Sequence, residues 1–155
     1  MTNYTKYLAV DLGEKRIGLA LSDTLKIIAE PVDVFERTSR KADFAYIGQL
    51  VAAHNVSLIV MGLPVTLGGE EGRMAAWARS YGTELGQTLN LPVEFWDESL
   101  TSMQAERSLR EQGLSSKQMK GRVDAVAAAL LLQNYLEAQR EDDWSWLSPP
   151  PEDDF

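Results

Sequence analysis

The stretch Tyr4 to Val10 is apolar without a break from Tyr7 on, and from Arg16 to Ser22 the bulky Ile17, Leu19 and Leu21 alternate with Gly18, Ala20 and Ser22. Both spacings belong to strands, and the turn around Gly13, Glu14 and Lys15 is short enough to join them as a hairpin. The second strand has one bulky face and one that admits close approach. A glycine such as Gly18 inside a strand marks a neighbour that needs room. After a connection at Asp23 to Lys26, a third strand is expected around Val32 to Glu36, with Pro31 at its start, where a missing N–H is tolerated.

Between Ser39 and Asn55 the apolar spacing turns helical, through Phe44, Ile47, Leu50 and Val51, with His54 near the end. Val56 to Gly62 is a near-continuous apolar run of strand length, as expected for a strand covered on both faces. Pro64 ends it, and Thr66 to Gly72 is a polar loop. Met74, Ala78, Tyr81, Leu85 and Leu89 mark one face of a second helix, interrupted by Gly82 and Gly86. Leu91 to Trp96 is a short strand ending on Asp97 and Glu98. Thr101 and Gln104 form a capping-box pair for a third helix that Gly113 stops, and a last helix runs from about Lys120 to Arg140. Early strands joined by short turns pair antiparallel, and later strands separated by helices pair in parallel through crossovers. The pattern predicts an α/β protein with a mixed five-stranded sheet flanked by helices.

Length and charge refine this picture. At 155 residues the chain is expected to form one domain, 1–140, followed by an acidic, Trp- and Pro-containing tail, 141–155. The net charge of −8 argues at face value against nucleic acid as a partner. Six of the acids lie in the tail, however, which has no Lys or Arg; the rest of the chain sets 15 basic residues against 17 acids. That near-neutral body permits a nucleic-acid partner. No apolar run reaches the ~18 residues of a membrane span, and the first residues lack a basic-then-apolar signal pattern. A cytoplasmic protein, with no membrane partner, is the expectation.

Three places put carboxylates at the edge of apolar structure: Asp11 at the end of the first strand, Asp97 and Glu98 at the end of the last, and Asp124 on the final helix. Helical spacing sets Asp124 on the stripe of Ala128, Leu131 and Tyr135. Each has a plain alternative. Asp11 caps its turn, Asp97 or Glu98 favours the next helix start, and Asp124 favours its own or pairs with Lys120. Taken together, two parallel strand ends and a helix start converge on the sheet edge where α/β proteins place their sites. Grouped carboxylates repel unless cations neutralise them, and oxygen ligands of this type suit Mg²⁺ or Mn²⁺. Two such ions would activate water and stabilise a leaving oxygen in phosphodiester hydrolysis. With no Cys and a single His, zinc chemistry and a Ser-His-Asp triad are unattractive.

The stretches 11–18 (Asp-Leu-Gly-Glu-Lys-Arg-Ile-Gly), 61–64 (Met-Gly-Leu-Pro), 96–101 (Trp-Asp-Glu-Ser-Leu-Thr) and 123–128 (Val-Asp-Ala-Val-Ala-Ala) occur in an order that resembles the bacterial YqgF family. That family is described as Holliday-junction-resolvase-like proteins and as nucleases that mature the 5′ end of 16S ribosomal RNA. The resemblance covers about Tyr7 to Leu136 and implies a ribonuclease-H-like fold. It implies Asp11, Glu98 and Asp124 as metal-binding catalytic acids, with Asp97 as a fourth ligand, and Mg²⁺ or Mn²⁺, two ions, as cofactor. Lys15 and Arg16 would lie beside the site to meet phosphate; Lys117, Lys120 and Arg122 are a second candidate set for backbone contacts, with an ordinary solvated helix start as the alternative. The implied substrate is structured RNA, with branched DNA as the alternative. The chain departs from the family at Ser99, where Arg is usual; Ser removes a charge and a bidentate phosphate contact.

Two other readings compete. A nucleotide-binding protein of the actin and sugar-kinase type would need a second lobe, and no Gly-x-x-x-x-Gly-Lys-Ser/Thr loop is present. A non-catalytic RNA- or protein-binding factor accommodates Ser99 and the acidic tail. Trp77, Trp144 and Trp146 offer surface for a homodimer, although core packing explains Trp77 equally well.

Overall fold

The computed structural model describes residues 4–64, 72–97, 111, 113 and 123–144, with side chains to 140 in the last stretch. The strands are β1 (Lys6–Leu12), β2 (Arg16–Ser22), β3 (Ala29–Glu36), β4 (Val56–Leu63) and β5 (Val93–Asp97). The helices are α1 (Arg40–His54), α2 (Arg73–Leu89) and α3 (Val123–Trp144). One five-stranded sheet has the order β3-β2-β1-β4-β5. β1, β2 and β3 form an antiparallel meander, and β4 and β5 continue the sheet in parallel with β1. This is the mixed five-stranded sheet that the pattern predicts, in the ribonuclease-H-like arrangement that the family resemblance implies.

Strand alternation divides the core in two. Leu8, Val10, Ile17, Leu19, Ile59 and Met61 face α1 and α2, where they meet Phe44, Ile47, Ala78, Tyr81 and Leu85. The opposite face carries smaller residues, Ala9, Ala20 and Val60, beneath Ala128, Leu131, Leu132, Tyr135 and Leu136 of α3. Small residues on that side let one helix lie close to the sheet. Gly82 does the same for α2: a Cβ there would stand 2.7 Å from Phe95 Cε1 and 2.8 Å from Met61 Sδ. The glycine that lowers helix propensity therefore lets α2 pack onto β4 and β5.

Several boundaries differ from the sequence expectation. β1 runs on to Leu12 because Asp11 and Leu12 pair with Gly18 and Ile17 across the hairpin. β3 begins at Ala29, so Pro31 lies inside it. The register passes from Leu19↔Asp33 to Ala20↔Pro31, leaving Val32 as the extra residue of a bulge. An edge strand has only one neighbour, and a bulge beside it absorbs a residue that cannot donate. α3 continues to Trp144, beyond the expected end at Arg140. His54 closes α1, and Asn55 caps it in the left-handed conformation. Trp77 packs against the larger core, with the Arg37 guanidinium 4.6 Å above its ring. The expected loop at 66–71 and most of the helix between Thr101 and Gly113 lie outside the described residues. So does residue 146, and the side chain of Trp144 is likewise not described. Among the described residues, no helix is long and apolar enough to cross a membrane.

Candidate nuclease site

β1, β3, β4 and β5 all end on one edge of the sheet, and α1, α2 and α3 all begin there. Asp11 is the penultimate residue of β1 and alternates with Ala9, so its side chain belongs to the α3 face. Its cross-strand partner is Gly18. Directly over Gly18 lies the backbone of Asp124: a Cβ on Gly18 would be 2.0 Å from the Asp124 carbonyl oxygen and 2.3 Å from its carbon. The empty side of β2 is thus the seat of the α3 start, so that Asp11, beside Gly18 on β1, and Asp124, above it, both adjoin one glycine.

Arg16, two residues before Gly18 on the same face of β2, donates from Nε to Asp124 Oδ2 at 3.0 Å. Both side chains are partly covered, at 34% and 26% exposure. The sequence reading aims Arg16 at phosphate; in the structure its guanidinium holds a catalytic candidate. Lys15 stays exposed in the turn. Asp97 ends β5, opposite Leu63 of β4, and so sits two strands from Asp11, roughly 10 Å away across the sheet. Its alternation is with Val93 and Phe95, toward the α1 and α2 side, whereas Trp96 joins the α3 core. Glu98, Ser99, Lys117, Lys120 and Arg122 lie outside the described residues.

Two residues at this edge escaped the sequence reading. Arg37 follows β3 and ties down the β1–β2 turn: its backbone N–H donates to Lys15 O at 2.8 Å and its Nη1 to Glu14 O at 2.5 Å. Asp43 is an acid only 2% exposed, in the first turn of α1. It accepts from the Tyr81 hydroxyl at 3.0 Å and the Thr38 N–H at 3.1 Å. Burial, and then the Asp43 carboxylate, push the Tyr81 hydroxyl far above the usual tyrosine range. Local spacing carries no signal for either residue, because their partners lie on distant segments. Asp43 has a structural explanation, since its partners and the helix start satisfy it.

Among the described residues, no three Asp, Glu or His side chains are grouped as a metal site. Asp11 and Asp124 nevertheless fit a divalent cation in kind. Both are hard oxygen donors, and the Arg16 contact shows that Asp124 receives positive charge.

Comparison with known proteins identifies the family and the shared fold. Residues 5–138 match the family described as RuvX, Holliday junction resolvase. A protein of Anaeromyxobacter sp., provisionally named pre-16S rRNA nuclease, is 43% identical over 134 residues, covering 86% of this chain and 98% of its own. The solved structure of T. thermophilus RuvC in complex with a Holliday junction substrate superposes with a TM-score of 0.54 at 14% identity, covering 88% of this chain and 96% of RuvC. The Fowlpox virus resolvase, in complex with Holliday junction DNA, gives 0.56 at 10% identity, with 87% and 99% covered. At these identities the structural likeness establishes the shared fold.

Proposed function

This chain belongs to the RuvX family, and from that premise we propose that it is a nuclease acting in 5′-end maturation of precursor 16S rRNA. It is a hydrolase of phosphodiester bonds. The observation that carries the site assignment is that Asp11 and Asp124 both adjoin Gly18, at the edge where the parallel strands end. Asp11, Glu98 and Asp124 would hold Mg²⁺ or Mn²⁺; Asp97, which alternates with Phe95 toward the α1 and α2 side, is not kept as a fourth ligand. Such a pair of cations supplies an activated water and charge neutralisation at the leaving oxygen. The chain's own contribution is positional. Gly18 sets the separation of the two acids, and Arg37 fixes the turn that presents Lys15 to a phosphate. Lys117, Lys120 and Arg122 extend the phosphate contacts in this reading, and Trp144 and Trp146 are left for self-association. The reading goes with a cytoplasmic protein.

The relative's name favours ribosomal precursor RNA, and the family description favours four-way DNA junctions; the phosphate chemistry is common to both. Cleavage of each substrate with Mg²⁺ and Mn²⁺, by wild type, Asp11→Asn and Asp124→Asn, tests the assignment. Each variant should lose about 100-fold or more in rate with its unfolding midpoint retained. Undiminished cleavage by Asp11→Asn would sink the site assignment, and preference for the junction would move the substrate to DNA.

A further inference from the structure

The Arg16–Asp124 contact deserves a role of its own. Arg16 stands opposite Glu36 on the neighbouring strand, the usual place for a cross-strand ion pair. Its Nε–H nevertheless goes to Asp124, on the helix packed over that face. The pair is partly covered, so solvent screens it less than a fully exposed one. An arginine fork matches a carboxylate and a phosphate equally well, and its long stem lets the head swing between two partners. A guanidinium on Asp124 also opposes any divalent cation that would use the same oxygen.

We propose that Arg16 is the site's exchangeable counter-ion. With no cation bound it neutralises Asp124 and holds the α3 start against Gly18. When a divalent cation takes the carboxylate, Arg16 is released toward solvent, where a substrate phosphate receives it. The inference rests on the metal-site reading above. It adds that the protein holds its own cation affinity down through a residue that is not a metal ligand. Nucleic acid, by engaging Arg16, removes that competition, so substrate and cation favour each other's binding.

Calorimetric titration of the full chain with Mn²⁺ alone tests this. Arg16→Gln should bind Mn²⁺ about 3- to 10-fold more tightly than wild type, and Arg16→Lys, which keeps the charge, should stay close to wild type. The gain should vanish in the Arg16→Gln/Asp124→Asn double variant, since the coupling runs through that carboxylate. In wild type, the Arg16 Nε–H resonance should shift as Mg²⁺ is added, a readout that needs no variant to fold. Mn²⁺ affinity that is equal or weaker in Arg16→Gln, or an unmoved Arg16 resonance under saturating Mg²⁺, overturns the proposal. If wild type binds and Asp124→Asn weakens binding but Arg16→Gln does not tighten it, the metal site survives and the counter-ion role fails. If folded wild type and Arg16→Gln both bind no Mn²⁺, the metal reading fails and takes this inference with it.

Discussion

Gly18 shows how much one missing side chain decides. The sequence marks it as a place where something approaches, and the structure identifies the visitor as the Asp124 backbone. A methyl group cannot be accommodated 2.0 Å from a carbonyl oxygen, so Gly18→Ala must push the α3 start off the sheet. We expect a loss of about 1–3 kcal/mol in urea unfolding, accompanied by loss of cleavage because Asp124 moves with the helix. Unchanged stability and activity would contradict the packing. Tyr81 gives a pH prediction. Its hydroxyl is held protonated by burial and by Asp43, so its folded pKa lies above the unfolded value of about 10. Below pH ~10 both states keep the proton and the full contribution is present. Above it the unfolded state ionises first, and stability falls as pH rises. Denaturation at pH 8 and pH 10.5 should show a smaller loss for Tyr81→Phe than for wild type. Equal losses would remove Tyr81 as the cause.

Among the elements, helix ends follow local rules. Ser39 accepts the Ala42 N–H at 3.1 Å, and Asn55 and Asn90 take left-handed φ values of 53° and 55° at the C-termini of α1 and α2. These roles depend on near neighbours, which is why the limits of α1 were readable. Ser39→Ala should cost about 1 kcal/mol in chemical denaturation, and Ser39→Asp much less, because a carboxylate caps equally well. β3 departs from its local pattern for the opposite reason. Pro31 reads as a strand start in isolation, and only the edge position and the bulge at Val32 let the strand run through it. Arg37 was invisible for the same reason: its partners, Glu14, Lys15 and Trp77, come from a distant turn and from α2.

For the whole molecule, charge distribution matters more than its sum. A net −8 repels nucleic acid at long range, so the proposed function asks local cations at the strand-end edge to offset it. Lys15 is exposed there. Lys15→Gln should weaken RNA binding and lower the slope of log affinity against log salt by about 0.7–0.9, the value of one phosphate contact. An unaltered slope would remove Lys15 from the interface. Screening of the acidic tail acts in the other direction, so the slope must be compared between proteins that share the same tail.

The alternation of Ile17, Leu19 and Leu21 with Gly18, Ala20 and Ser22, and the helical spacing from Met74 to Leu89, were enough to determine the elements and their approximate order. Both depend on periods of two and 3.6 residues along a single segment. The motif order was enough to indicate the family. What only the tertiary structure decided is who meets whom at the edge. Asp124 lies over Gly18 and beside Arg16, Asp97 keeps step with Phe95 across the sheet from Asp11, and Asp43 is a buried structural acid. Those relations are set by how α3 and α2 seat on the sheet, through contacts between residues far apart in the chain, and no local period encodes them.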